Sequence, residues 1–469
     1  MEDIFVMLGT DPKKAIELLK SQGKKADEIQ KLIKEFTLTD RTIRFTQIGN
    51  IQKDKKVGEK TVDAVRIPIN FQQKIVTTSV AFEVGEPATL IPNDMKLKMA
   101  ELIKNLWKSN RIDSKIQRLK TVQKSETQAA MLFFMSEIKP GSLIEKLLVN
   151  IGISGQKKEI KCSVLENSKG TMYPYFDAYQ NMIAFTWSFI SKTSDGKDQK
   201  NTWIYSDKNV YKFIDEGIVP EVLPHGFDKI PIVYVSQEQP EWFITQAMID
   251  RIEVAVSKLG ASNDYSGHPM LIIEGDVTNA PDKDEDGKAW MVPVKIDSEG
   301  NVIKGSVSFL EAKTAPASNK LEIETIEKFI YNISSTPNLS LDNLMGLGTS
   351  GVALELMFLD PILKAKSNEG ENRTMYERIL NIMISGIITT TNTGLKSEAA
   401  KLFFDVQFNS ILPNDLKKSA DIASVLKTAG LISTRTGIEY IGMNADVEQE
   451  LEFIKSETAA TEPKPPTGE

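Results

Sequence analysis

Residues 335–356 read Ser335-Thr336-Pro337-Asn338-Leu339-Ser340-Leu341-Asp342-Asn343-Leu344-Met345-Gly346-Leu347-Gly348-Thr349-Ser350-Gly351-Val352-Ala353-Leu354-Glu355-Leu356, and the fold turns on them. Ahead of this stretch the pattern predicts a helix. Asn319 is a candidate N-cap, Glu322 stands three residues on, and Leu321, Ile326, Phe329, Ile330 and Ile333 share one face. The helix is expected to stop at Thr336-Pro337, because a proline drives the residue before it out of the helical region. Asn338 to Thr349 make a polar loop in which Gly346 and Gly348 permit backbone angles closed to other residues. From Ser350 a second helix is predicted to reach Thr391, about 60 Å at 1.5 Å per residue. Pro361 falls inside it, removes a hydrogen bond and crowds the carbonyl of Met357, so a kink is predicted there.

Two motifs in this stretch fail on context. Gly346, Gly348 and Gly351 match G-x-G-x-x-G, but that fingerprint follows a buried strand, and a helix and polar loop stand here instead. Gly346 and Gly351 also have P-loop spacing, yet Val352-Ala353 occupies the places of the phosphate-binding Lys and Ser/Thr.

The wider composition is that of an ordinary water-soluble protein, with 41% hydrophobic and 26% charged residues in 469. That length suits two to four domains or one elongated subunit. No apolar run approaches the roughly 18 residues of a membrane span. Met1-Glu2-Asp3-Ile4-Phe5 lacks the basic-then-apolar order of a signal peptide. Cys162 is the only cysteine, so an internal disulfide is excluded and a reducing compartment is expected. His225, in Leu223-Pro224-His225-Gly226, reads as a turn residue, and His268 is far from it in sequence. No catalytic residue, cofactor or metal is expected. The formal net charge is −7, whereas a protein that grips duplex DNA through many phosphates is usually basic.

Working outward toward the N-terminus, amphipathic helices are predicted at Asp11–Leu19 and Asp27–Phe36, then β-prone pieces over 42–69 around a Lys-rich turn. A helix is predicted over Asn70–Val80, closed by a strand and turn at Phe82–Pro87, and another over Asp94–Asn110. Lys108, Arg111, Lys115, Arg118, Lys120 and Lys124 read as a solvated basic face. Ala129–Ser136 reads as a buried strand, and 151–235 as all-β. Within that region Trp187, Trp203, Tyr205 and Tyr211 are expected in the core and in cross-strand pairs. Pro240 opens a predicted helix lined by Ile244, Met248, Ile249, Ile252 and Val256 and ending near Gly260–Asn263. Residues 266–316 read as a small β module with strands at Met270–Glu274, Trp290–Ile296 and Ser306–Leu310. The module is held between this helix and the one at 318–334, a pair able to form an antiparallel stalk. Inside it, Asp282-Lys283-Asp284-Glu285-Asp286-Gly287 copies half an EF-hand loop, but Pro293 stands where its closing Glu belongs, so an exposed acidic hairpin is expected.

Beyond the long helix, Ala400–Asn409 reads as a strand. Helices follow at Leu416–Ala429, Thr434–Ile441 and Asp446–Ser456, with Gly430 as C-cap and Ser433 as N-cap. Residues 457–469 read as a disordered tail.

Several of these pieces together resemble the portal proteins of tailed bacteriophages. They are Asn70–Gly85, Leu223–Ile232, Gln246–Asp264, Ser335–Leu356 and Leu412–Ile441 with the acidic Glu448–Glu457, in that order along most of the chain. The resemblance implies an α+β, elongated, portal-type subunit. Its parts would be a mixed α/β wing over 1–239, stem helices over 240–264 and 317–335, and a small β clip over 265–316. A tunnel loop and long kinked helix would span 336–394, a wing return strand 395–411, an α-helical crown 412–456 and a tail 457–469. It further implies a homo-oligomeric ring, usually dodecameric, at one capsid vertex, found in the virion and in the host cytoplasm during assembly. The implied partners are double-stranded DNA in the channel, the terminase large subunit, a head-completion or adaptor protein, and the major capsid and scaffolding proteins. Asn338 to Thr349 correspond to the tunnel loop. Lys364, Lys366 and Arg373 are candidates to line the channel, and Asp282, Asp284, Glu285 and Asp286 to dock partners. Val352, Leu356, Leu359 and Leu363 are expected to be buried in the assembled particle. A non-portal ring-forming structural protein and a nucleotide-binding enzyme are the rival readings.

Overall fold

Gln128 to Phe133 form a buried run at the centre of the larger of two units. The computed structural model describes residues 4–38, 54–57, 60–62, 64–94, 96–138, 158–215, 217, 219–266, 270–274, 294–296, 298–300, 302–304, 306–310, 316–338, 356–409, 416–441 and 447–461. The first unit comprises 1–338 and 360–409, the second 339–359 and 410–469.

The chain begins with α1 (Ile4–Thr10), α2 (Pro12–Lys20) and α3 (Ala26–Thr37). Asp11 caps α2, its carboxylate accepting the N–H of Lys14 at 3.3 Å. The hairpin β1 (Lys55–Val57) and β2 (Lys60–Val62) precedes α4 (Phe71–Val84), β3 (Thr89–Pro92), α5 (Lys98–Ser109) and α6 (Ile112–Glu126). Strands β4 (Gln128–Glu137), β5 (Lys158–Leu165), β6 (Gly170–Phe176), β7 (Met182–Lys192), β8 (Asp198–Tyr205), β9 (Asn209–Ile214), β10 (Glu221–Pro224) and β11 (Ile232–Ser236) follow. Next are α7 (Gln246–Ser266), β12 (Met270–Glu274), β13 (Val294–Ile296), β14 (Val302–Lys304), β15 (Ser306–Leu310) and α8 (Pro316–Ser334). The chain continues with α9 (Leu359–Ser367), α10 (Glu369–Gly386), a π turn over Ile387–Thr391, α11 (Lys396–Ala399) and β16 (Phe404–Gln407). It ends in α12 (Leu416–Thr428), α13 (Thr434–Ile441) and α14 (Val447–Thr461).

The period-2 alternation of β4 sets the layers of the first unit. Ala130 and Leu132 face the sheet β10-β9-β8-β7-β6, packing with Phe185, Trp187 and Tyr205. Ala129, Met131 and Phe133 face the other way, into the core shared with α4, α5, α6 and α10. Strand β4 itself lies between β11 and β5, both antiparallel to it. The far face of the five-stranded sheet is covered by α1 and α2, whose Ile4, Leu8, Ala15 and Leu19 meet Ala184, Ile204 and Phe213. Each fully buried side chain of this kind contributes about 1.5–3 kcal/mol. Trp187 stands opposite Trp203 in the register, and both belong to the inter-sheet core, as the sequence predicts.

Among the described residues, four short strands stand between α7 and α8, and of the strand expected over Trp290–Ile296 only Val294–Ile296 is described. Strands β12 and β15 pair, as do β13 and β14, and Ile249 and Ile252 of α7 share a core with Ile330 of α8. Arg251 on α7 donates to Glu322 on α8 at 2.7 Å. In the second unit Gly430 takes φ +71 just past α12, and Ser433 Oγ accepts the N–H of Thr436 at 3.1 Å at the start of α13.

Several expectations need correction. Where a strand is expected from Phe82, Phe82–Val84 form the last turn of α4, because Val80 and Val84, four apart, both reach the core. The helix expected from Pro240 begins only at Gln246, after a 3-10 turn over Phe243–Thr245. Trp242 is buried against Phe36, while Ile244 is exposed. On α8 the inward face is Ile323, Ile326 and Ile330, and Leu321, Phe329 and Ile333 are exposed. The long helix is interrupted. Met357 is helical, Phe358 is a turn, and Pro361 lies in the first turn of α9, where a missing N–H costs nothing. A second break falls at Asn368, whose N–H bonds Ala365 three residues back and whose side chain turns to Glu83. The strand expected over Ala400–Asn409 is reduced to Phe404–Gln407, paired with β3. Helix α14 runs to Thr461, into the expected tail.

Candidate functional site

Of the loop predicted over Asn338 to Thr349, Asn338 is described and Leu339 to Thr349 lie outside the described residues, as do Asp282, Asp284, Glu285, Asp286 and Val352. The chain leading into the loop is described, and beyond the loop the described residues resume at Leu356. On the incoming side α8 ends at Ser334, and Ser335 takes φ +55, a left-handed turn that a serine adopts rarely. The N–H of Thr336 returns to the carbonyl of Tyr331 at 3.0 Å, and Ser334 Oγ and Thr336 Oγ1 lie 2.9 Å apart. On the outgoing side α9 carries Pro361, which is buried, and Lys364.

Lys364 joins the two sides. Its ammonium donates to the backbone carbonyl of Ser334 at 3.0 Å and lies 2.6 Å from Glu241 Oε1. Glu241 also holds Lys124 at 3.1 Å and accepts from Ser79 at 2.9 Å, and its own N–H bonds the carbonyl of Lys124 at 2.9 Å. Lys124 lies 2.7 Å from Glu83, which holds Lys120 at 3.3 Å and accepts from Asn368 at 2.5 Å. A chain of charge thus runs from α6 and α4, through the segment leading to α7, to α9.

The basic run expected as a solvated face is therefore divided. Lys108, Arg111 and Arg118 are exposed, and Lys115 donates to the carbonyl of Cys162 at 2.6 Å. Lys120 and Lys124, four apart on one side of α6, point inward onto Glu83. Sequence spacing could not find this, because the anionic partners come from positions about 40 and 120 residues away along the chain.

Burial pushes the Glu241 carboxyl up, but Lys124 and Lys364 outweigh it and hold it at about 2. Glu83 is likewise pushed up by burial and pulled below its ordinary value by Lys120 and Lys124. Lys124 is raised, because Glu83 and Glu241 together exceed the effect of burial. Lys120 stays lowered, because burial and the neighbouring Lys124 exceed what Glu83 returns. The arrangement is a fastening rather than an acid–base site, since each carboxylate is held fully ionised by its cations.

The other candidate cations are placed differently. Lys366 is exposed on α9, and Arg373 on α10 pairs with Asp405 of β16 at 3.1 Å and lies over the ring of Phe408. His225 is a turn residue, as expected. Its Nε2 lies 3.1 Å from the carbonyl of Ser206, and Gly226 beside it takes φ +84. Among the described residues no group of His, Cys, Asp and Glu could hold a metal ion, and no helix is long and apolar enough to cross a membrane.

No curated protein matches the sequence. Two solved chains from the necks of GTA particles are similar to it. One, from an empty particle computed with C6 symmetry, is 11% identical over 87% of this chain and 99% of its own, with a TM-score of 0.40. The other, from a native particle computed with C12 symmetry, is 11% identical over 80% of this chain and 91% of its own, with a TM-score of 0.39. The family match spans β1 to β16, both helices flanking the β module and the terminal helices. The profile of the phage portal proteins, SPP1 Gp6-like, matches residues 24–464, and the chain belongs to that family.

Proposed function

We propose that this portal protein works as a closed homo-oligomeric ring, a dodecamer, at one capsid vertex, with double-stranded DNA passing along its axis during packaging and ejection. The observation that carries the reading is the family match over nearly the whole chain. The ring is a conduit with no catalytic role of its own. In this reading residues 1–239 with 395–411 are the wing, 240–264 and 317–335 the stem, 265–316 the clip and 412–456 the crown. The loop from Asn338 to Thr349 faces the channel, backed by α9 and α10. Lys366 and Arg373 are the cations available to the channel wall, and Lys364 serves mainly to fasten the loop. The net charge of −7 suits a conduit, because each strong phosphate contact would add binding energy and a point at which DNA stalls.

The acidic clip residues Asp282, Asp284, Glu285 and Asp286 dock the terminase large subunit during packaging and a head-completion or adaptor protein afterward. The wing meets the major capsid and scaffolding proteins. Leu356, Leu359 and Leu363 support a ring, since all three are exposed in the single chain. Negative-stain electron microscopy of the purified protein tests the proposal. Rings with an axial hole are expected, and a population of monomers at every concentration and ionic strength would overturn it.

A further inference from the structure

We infer that Lys364 is a positioning residue for the proposed channel loop, fixing the end of α8, ahead of the loop in the chain, against α9, which comes after it, and anchoring both to Glu241. The inference rests on the reading of 338–349 as the channel loop. Its structural part stands on geometry alone. Ser334 and Lys364 are separated by 30 residues, yet the Lys364 ammonium donates to the Ser334 carbonyl at 3.0 Å. That carbonyl belongs to the last turn of α8, where intrahelical donors run out and a cation is favourably placed. The same ammonium is 2.6 Å from Glu241, so it cannot follow solvent without breaking two charge-assisted contacts.

Glu241 is a rigid base for this tie. Lys124, Ser79 and a backbone bond to the carbonyl of Lys124 fix it from the wing side, and its side chain is 10% exposed. Lys364, at 27%, is the outermost member of the cluster. This asymmetry separates position from stability. Without Lys364, Glu241 keeps Lys124 and Ser79, so no buried charge is left unpaired and the fold should survive. What is lost is the bond from Lys364 to the Ser334 carbonyl that ties α9 to the end of α8. A lysine on a merely solvated helix face would predict no local effect at all.

The test compares Lys364→Met and Lys364→Arg with the parent protein in the full-length chain. Hydrogen exchange is followed in peptides covering 331–338 and 359–367, with peptides from β4 and β7 as controls, and DNA content is measured in heads built with each variant. Lys364→Met should exchange roughly tenfold faster at 331–338 with the controls unchanged, and its heads should contain less DNA. Lys364→Arg should restore both, because it keeps the charge and the donors. Unchanged exchange at 331–338 in Lys364→Met would overturn the positioning role. Faster local exchange in heads that fill normally would overturn the link to DNA passage while leaving the tie itself in place. Loss of rings in Lys364→Met with exchange raised throughout would make the residue a general stabiliser and equally overturn the inference.

Discussion

The carboxylate of Glu83 on α4 lies 2.7 Å from the ammonium of Lys124 on α6, and neither side chain is more than 3% exposed. Two helices of the first unit are therefore joined by a pair of charges that water does not reach. Such a pair adds little over an apolar contact of the same shape, but Lys124 serves both Glu83 and Glu241, so removing it leaves two buried carboxylates with one cation each. Lys124→Met should destabilise the subunit by about 3–5 kcal/mol. Lys120→Met should have a smaller effect, because burial already works against its charge and Glu83 keeps Lys124 and Asn368. Urea unfolding followed by tryptophan fluorescence gives both values, and equal losses would refute this ordering.

The same cluster fixes a pH dependence. The Glu241 carboxyl titrates at about 2 in the folded chain, against 4.5 for an ordinary glutamate. Its folded value is depressed, so its contribution is complete above about pH 4.5 and is lost as pH falls toward 2. At about 1.4 kcal/mol per pH unit the loss is on the order of 3 kcal/mol. Glu241→Gln should be less stable than the parent at neutral pH and show a shallower decline between pH 5 and 2. A parallel decline in both proteins would assign acid sensitivity to other carboxylates.

Gly386, at the end of α10, packs closely against Phe227 in the turn after β10. A Cβ there would come 2.6 Å from the Phe227 ring and 2.8 Å from Ile160. The helical preference of alanine over glycine, about 1 kcal/mol, is overridden by this overlap. Gly386→Ala should destabilise by about 1–3 kcal/mol. Gly370, near the start of the same helix, has open space around it, so Gly370→Ala should be neutral or stabilising by up to about 1 kcal/mol. Thermal shifts of opposite sign for the two variants are the expected result.

Where a segment's own pattern decided its structure, it was legible in the sequence. The buried apolar strand β4, the aromatic strands, and the Gly430 and Ser433 caps all follow from local rules. Errors arose where a distant partner outweighed the local pattern. Lys120 and Lys124 look like a solvated face until Glu83 and Glu241 are brought against them. Asn368 is an unremarkable residue in a helical run until the buried Glu83 draws its side chain away. The fastening at the loop has the same origin. Lys364 could be marked as a cation near the channel, but neither Ser334 nor Glu241 carries any local sign that it waits for a lysine.

The outer face of α9 bears on assembly. Leu359 and Leu363 are four apart on one side of the helix, and each is about half exposed in the single chain. Two neighbouring leucines left in water are expected at a surface that another copy covers. Burying both would contribute about 3–6 kcal/mol at each contact between subunits. Replacing both with aspartate removes this and places like charges at every junction of the proposed ring. The isolated subunit should be little affected, because exposed substitutions away from special contacts stay within about 0.5 kcal/mol. Mass photometry of Leu359→Asp/Leu363→Asp should therefore show monomers under conditions where the parent forms rings, with an unchanged unfolding midpoint for the monomer. Rings at parental abundance would remove this face from the interface, and a lowered midpoint would show that the leucines serve the subunit's own fold.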